Sequence, residues 1–272
     1  MQGLTLVLNA AEGRLQIVLA DGLAIICTQD WAASRRGTEL LSPALERMFS
    51  GLRLRFADLE RIACVRGPGS FTGIRLVLST AAALARVSGA LLAGLEYMQA
   101  LAMGVCVFLA EQHVQHAPSR RIWVLTHARR DLAHAQVFAP GRGEALPLAM
   151  SELELLSPEQ CLRRMREQVQ DGMSLWATGS ALARHQAFTA LPGLACCTSA
   201  RFREPFPEDL LLLARHAEYS RRDIEALYIR PCDAVENLDS IVARRGEDPV
   251  PARIRLESLL AVRPELEMEG LK

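Results

Sequence analysis

Residues 66–75, Arg66-Gly67-Pro68-Gly69-Ser70-Phe71-Thr72-Gly73-Ile74-Arg75, gather three glycines, two hydroxyls and two guanidinium groups within ten positions. Glycine permits positive φ and close backbone approach, and a helix starting here would point unpaired N–H groups at an anion. One reading is an anion or nucleotide loop built from Arg66, Gly67, Gly69, Ser70, Thr72 and Gly73. The other is a structural turn that lets the following helix pack tightly, and residue types alone do not separate the two. Two phosphate motifs are excluded. The Rossmann fingerprint needs glycine where Thr72 stands, and a P-loop needs a lysine. Lys272 is the only lysine, the other thirty basic residues being arginines, so Schiff-base chemistry is also absent from the body of the chain. Ser70 does not sit in the G-x-S-x-G setting of a hydrolase nucleophile.

Other candidates are weaker. His113 and His116 are spaced i, i+3 and could share a helix face, but no carboxylate pattern accompanies them; a solvated helix end fits the polar run 111–119 better than a metal site. Arg129 follows an apolar run and would bind a phosphate or pair with an acid, the pairing being slightly favoured. No catalytic residue and no metal ligand is assigned.

The elements that must position these residues are legible as periods. Leu4–Leu8, Leu15–Leu19 and Leu23–Cys27 are short apolar runs separated by Glu12-Gly13 and Asp21-Gly22, which predicts an antiparallel meander. Thr38–Phe49 carries Leu41, Leu45 and Met48 at helical spacing despite Pro43. A buried strand at Arg61–Val65 leads through the glycine run into a helix over Ile74–Arg86, then a strand at Ala90–Leu92 and a helix over Leu95–Leu109. Residues 1–108 therefore read βββαβα with one further strand and helix. Residues 109–231 repeat the grammar: strands at Ile122–Leu125, Ala133–Phe138 and Ala145–Met150, a helix opened by Ser157-Pro158-Glu159-Gln160, a strand at Leu175–Thr178, and helices at Ala181–Phe188 and Glu208–Tyr219. A duplicated βββαβα unit is the pattern of a two-lobed α/β architecture of the actin-like (ASKHA, ribonuclease-H-like) type. Residues 232–272, with nine acidic and six basic side chains, form an acidic tail with helices expected at Leu238–Arg244 and Arg253–Val262, separated by Pro249 and Pro251.

Composition narrows function further. The chain has 272 residues, 31 basic and 31 acidic, and is 50% hydrophobic, as an ordinary globular protein is. Zero net charge argues against a self-sufficient tRNA or DNA binder, which needs a basic face. Seven cysteines, an odd number without a C-x-x-C pair, suggest buried thiols in a reducing compartment. The start lacks a signal-peptide pattern, and Arg86, Gly89, Gly94 and Glu96 interrupt the most apolar region, so a cytoplasmic, non-membrane protein is expected.

The run 66–75 resembles the hallmark of the TsaB (YeaZ) family, bacterial partners in making N6-threonylcarbamoyladenosine (t6A) in tRNA. The likeness extends through Leu4-Thr5-Leu6-Val7-Leu8-Asn9, Leu40, Leu41 and Pro43, Ala128-Arg129, Gly179 and Tyr228-Ile229-Arg230. It covers roughly residues 3–231 and leaves the tail outside. Where relatives carry Asp-Ala-Arg this chain has His127-Ala128-Arg129, and Leu132 and His134 replace an acidic-aromatic pair. The resemblance implies a non-catalytic scaffold with a degraded nucleotide site, pairing with the metal-bearing TsaD subunit and the TsaE ATPase, and forming homodimers when TsaD is absent. ATP or ADP with magnesium would bind only at the interface with partners, and tRNA only through the complex. Asn9 agrees with a non-catalytic role, since a phosphotransferase of this architecture wants a carboxylate at the end of strand one. The alternative is an enzyme of the same superfamily, a metal-dependent peptidase or a small-molecule kinase.

The pairing surface implied by the resemblance lies on helices 38–49 and 74–86. Leu41, Leu45, Met48, Ile74, Val77, Leu78 and Ala81 are its candidates; the same stripes could instead face the chain's own sheet, and both hold if helix 74–86, apolar round much of its circumference, is buried on two sides. Small residues at 79–83 allow close helix approach, and two helices per subunit would make an intermolecular four-helix bundle.

Overall fold

In a computed structural model, residues 3–32, 36–113, 119–129, 131–141, 145–188, 190–196, 202–229 and 238–262 are described. The strands are β1 (Leu4–Asn9), β2 (Arg14–Asp21), β3 (Ala24–Ala32), β4 (Leu59–Gly67), β5 (Leu91–Glu96), β6 (Arg120–Arg129), β7 (Leu132–Ala139), β8 (Leu148–Ala149), β9 (Glu154–Leu156), β10 (Ser174–Thr178) and β11 (Leu194–Cys196). The helices are α1 (Gly37–Leu52), α2 (Phe71–Ser88), α3 (Tyr97–Glu111), α4 (Pro158–Gln170), α5 (Pro207–His216), α6 (Leu238–Arg244) and α7 (Pro249–Val262).

The two sheets repeat one topology. The first has the order β3-β2-β1-β4-β5 and the second, read from the same end, β8-β7-β6-β10-β11, with β9 also pairing β7. In each, the opening hairpin is antiparallel and the central strand is parallel to the strand after the first helix. The fold is the duplicated two-lobed α/β arrangement that the sequence pattern predicts. Pairing of Asp21 with Ala24 leaves Gly22-Leu23 as a two-residue loop, and Gly22 supplies the positive φ, 59°, that such loops require.

Burial explains why β1 and β4 are apolar on both faces. On one side of the first sheet lie α1 and α2, which insert Leu41, Ala44, Leu45, Met48, Phe49, Val77 and Ala81 into a core with Leu6, Leu8, Ile17 and Cys64. Its other side faces α3 and α5, which share a core with Ile122, Val124 and Phe138 of the second sheet. Helix α3 is thus packed between sheets, and nine of its residues are buried, as expected of a helix apolar all round. The outer face of the second sheet is covered by α4, whose Cys161, Leu162 and Met165 sit in a third core. Ser157 and Gln160 form a reciprocal capping box at its start.

Several expectations are revised. Ala181–Phe188 forms two short 3-10 turns, Ser180–Ala183 and Gln186–Phe188, instead of one helix. Only Leu148–Ala149 of the expected Ala145–Met150 strand is paired. Strands β9 and β11 have no counterpart in the sequence pattern; each is three residues long, too short for a periodic signal. Helix α3 ends at Glu111 and His113 lies beyond it with φ 52°, so His113 is not on a helix face; His116 lies outside the described residues. Pro249 and Pro251 fall within the first turn of α7, where a missing N–H costs nothing.

Residues 1–225, containing both sheets, form one compact unit and residues 226–272 a second. In the second, α6 and α7 are joined by an ion pair between Arg253 and Asp239.

Candidate functional site

The glycine run joins β4 to α2 and lies against the turn between β1 and β2. A Cβ added at Gly69 would stand 2.0 Å from the Ala11 carbonyl oxygen, and one at Gly73 would stand 2.1 Å from that of Ala10. These glycines are required by backbone approach. The Ser70 N–H donates to the Ala11 carbonyl at 2.5 Å, and the Gly73 N–H donates to Ser70 Oγ at 3.2 Å, making Ser70 the N-cap of α2. Two donors that a phosphate cradle would use are therefore engaged within the chain. The Arg66 guanidinium bonds Glu96 at 2.9 Å, and the Arg75 guanidinium stacks over the Phe71 ring at 3.8 Å. Thr72 is exposed and Gly67 buried. Arg129 sits exposed at the end of β6, opposite Leu132 in the register.

A cavity of about 70 Å³ beside the loop is lined by Glu12, Arg14, Thr38, Ser70, Thr72 and Gly73, among others. That is far below the ~300–1,000 Å³ of small-molecule sites. A cavity of about 490 Å³ lies along β5, with Arg66, Gly94, Glu96, His216 and Arg222 in its wall.

Asn9 is buried and engaged on both sides of its amide. It donates to Gln16 Oε1 at 2.7 Å and accepts from the Ala11 N–H at 3.0 Å. Gln16 in turn donates to the Pro205 carbonyl at 2.9 Å. An amide here holds the β1–β2 turn in shape, a task a carboxylate could not share because it has no hydrogen to donate.

The residue that sequence reasoning misses is Glu12, which reads only as part of a turn. Its Oε1 accepts from Ser180 Oγ at 2.6 Å and its Oε2 from Tyr97 OH at 3.1 Å. Ser180 also accepts the His127 N–H at 2.9 Å. Burial raises the Glu12 carboxyl above the usual carboxylate range, opposed by hydrogen bonds from Ser180 and Tyr97 and by Arg184. Glu204 is nearby and is pushed up to about 7, chiefly by burial; Arg14, at 2.8 Å, lowers it, while Asp30 and Glu12 raise it. Burial and these carboxylates hold the Tyr97 phenol well above its ordinary value. Burial likewise pushes Cys106 and Cys161 each to about 11, leaving both chemically quiet. Among the described residues, no cluster of three or more His, Cys, Asp or Glu side chains is placed to hold a metal ion.

Helices α1 and α2 turn six of the seven candidate interface residues inward. Leu41, Leu45, Met48, Ile74, Val77 and Ala81 are buried in the chain's own core and Leu78 is half-buried. The sheet claims that stripe because β1 and β4 would otherwise expose an apolar face. On the rest of α2, Phe71, Thr72, Arg75, Ser79, Ala83, Arg86 and Val87 are exposed, and Val87 is 72% accessible. Only 17% of this 18-residue apolar helix is buried. Its length and composition would suffice to cross a membrane, yet one face is a packed layer of the first lobe.

Solved structures share this architecture. A Pseudomonas aeruginosa protein described as similar to the peptidase YeaZ superposes with TM-score 0.63 at 18% identity, over 80% of this chain and 95% of that one. YeaZ from the same organism gives TM-score 0.63 and 18% identity over 83% and 99%. The fold is that of YeaZ. A model of the TsaD family, tRNA N6-adenosine threonylcarbamoyltransferase, matches residues 31–142, a span that includes α1, the glycine run, α2 and α3. No curated protein sequence matches the chain.

Proposed function

We propose that this YeaZ-like protein is the TsaB-type subunit of a t6A-forming assembly, a cytoplasmic scaffold that pairs with a TsaD-like catalytic subunit and a TsaE-like ATPase and performs no chemistry alone. The observation that carries the reading is α2. Its core face is complete with Ile74, Val77 and Ala81, and the apolar Phe71, Ala83 and Val87 are left exposed on its other side, among Arg75, Ser79 and Arg86. Exposed Phe71 and Val87 at the two ends of this helix support an interaction site there. Ala82 and Ala83 permit close approach, and Phe71 and Val87 provide apolar ends for a partner helix. The engaged N–H groups of the glycine run and the amide at Asn9 support a role without nucleotide or magnesium in the cleft, leaving any ATP or ADP to an interface with partners. Zero net charge leaves tRNA phosphate contacts to those partners. A second copy of the chain would use the same face when the catalytic subunit is absent.

The test is reconstitution of threonylcarbamoyl transfer to tRNA from purified subunits, with and without this chain. Transfer should require it. Val87→Glu and Ala83→Glu, placed at exposed positions, should abolish assembly and transfer while the isolated protein melts as before. Equal transfer without the chain, or peptidase or kinase turnover by the chain alone, would overturn the reading.

A further inference from the structure

The first sheet ends on β5, and among the described residues its outer edge is bridged at a single pair. Leu92 and Ser220 exchange both backbone hydrogen bonds there, at 2.8 and 2.9 Å. Alternation along the strand turns the N–H and C=O of Gly94 towards the same edge. Continuing the antiparallel ladder would set residue 218 opposite Gly94. Helix α5 runs on to His216, however, and the link from Ala217 to Ser220 forms no further bridge. Gly94 is exposed, and among the described residues no hydrogen bond engages its outward N–H or C=O. The cavity of about 490 Å³ lies at this gap, with Gly94 and Glu96 on one side and His216 and Glu218 on the other. Its volume is within the ~300–1,000 Å³ of ligand sites.

We propose that this groove takes an extended, basic peptide segment of a partner protein, which adds a short strand to the edge of β5. Main-chain bonds to Gly94 supply affinity in such an arrangement, and the walls read the side chains. Charge sets the sign. Arg66 is paired with Glu96 at 2.9 Å, and Asp223 with Arg86 of α2 at 2.8 Å. The other ionised side chains of the wall are Glu218 and Glu225 against Arg222, none of them in an ion pair among the described residues. The surplus of acid favours arginine or lysine on the incoming strand and disfavours an acidic one.

The groove also gives Arg66, the head of the glycine run, a place. A Cβ at Gly94 would stand 2.8 Å from Arg66 Cδ and 3.0 Å from Ile224 Cγ2. Glycine at 94 therefore lets the Arg66 stem cross the strand and hold its ion pair with Glu96 in the wall of the groove. Phe71, Ala83 and Val87 of α2 do not line it, so this surface is separate from the one that carries the scaffold reading.

The probes are blocked hexapeptides alternating valine with arginine, or valine with glutamate, which as strands present one charged face. Amide NMR of the full chain at millimolar peptide reads the binding. The basic peptide should shift the Gly94 and Glu96 amides and slow exchange of the Gly94 N–H, and the acidic peptide should bind roughly tenfold more weakly. Methylating alternate nitrogens of the basic peptide gives two phases. One should lose binding by roughly tenfold and the other keep it, because only one set of N–H groups faces β5. The double variant Glu218→Gln, Glu225→Gln should bind the basic peptide about fivefold more weakly, and Val87→Glu should bind it as the wild type does. A Gly94 amide unmoved by the basic peptide, equal binding of the acidic one, equal effects of the two methylation phases or undiminished affinity in the double variant overturns the proposal. So does weaker binding by Val87→Glu, which would move the peptide to α2. Exchange at Gly94 that slows with protein concentration alone would assign the groove to a second copy of the chain, and also overturns it.

Discussion

The two lobes solve the same junction differently. After β4 and after β10 the chain turns through glycine against the end of the central strand or hairpin of its own sheet. Gly69 meets the Ala11 carbonyl, and Gly179, at φ 108°, would place a Cβ 2.3 Å from the Leu125 carbonyl. In the first lobe the turn opens into an 18-residue helix, capped by Ser70, whose outer face mixes Phe71, Ala83 and Val87 with Arg75, Ser79 and Arg86. In the second it collapses into 3-10 turns, and the serine at the corresponding place, Ser180, reaches across to Glu12. The repeat keeps the close backbone approach and varies the element beyond it. One copy thereby carries a long, partly exposed helix and the other a polar tie between lobes.

The comparison can be broken at each of its parts. The largest effect is expected from Gly69→Ala and Gly179→Ala, where a methyl group would overlap a carbonyl oxygen. Each should cost about 3 kcal/mol or more in thermal or urea unfolding, whereas Gly13→Ala, with open space around it, should stay within about 0.5 kcal/mol. A Gly179 variant as stable as Gly13→Ala would show that the two turns are not one device. Ser180→Ala removes a donor from a buried carboxyl and an acceptor from His127, an expected loss of about 2 kcal/mol; Ser70→Ala loses a helix cap alone and should cost about 1 kcal/mol. Equal losses would erase the distinction between a lobe tie and a cap. Arg66→Ala breaks a partly exposed ion pair with Glu96 and should change stability by less than about 1 kcal/mol. Calorimetry with inorganic phosphate tests the same residue from the other side, because tight binding lost in that variant would restore the anion-loop reading. The smallest change in stability, within about 0.5 kcal/mol, belongs to Val87→Glu, whose effect should appear only in partner assembly.

Much of the fold is written in local signals. Alternation and turn residues mark β1 to β3, Ser157-Pro158 opens α4, and the glycine run separates a strand from a helix. The site is less legible. Leu41, Leu45, Met48, Ile74, Val77 and Ala81 fit either a partner surface or the chain's own sheet in the sequence because they are apolar and periodic. Periodicity reports that a face is buried and says nothing of what buries it. Glu12 gives no signal at all, since an acid beside glycine in a hairpin is what any exposed turn would contain. The segment 181–188 has helical spacing but forms two short 3-10 turns, with Ala181, Leu182 and Phe188 buried in the third core.

By itself, the amino-acid sequence determined most of the longer elements, their duplicated order and the absence of lysine-based or P-loop chemistry, because these depend on residue types and neighbours a few positions apart. Tertiary structure alone decided that the glycines serve backbone packing, that Asn9 is a turn brace and that Glu12 joins the lobes. Those roles depend on partners up to 168 residues distant, brought together only when two sheets close on the helices between them.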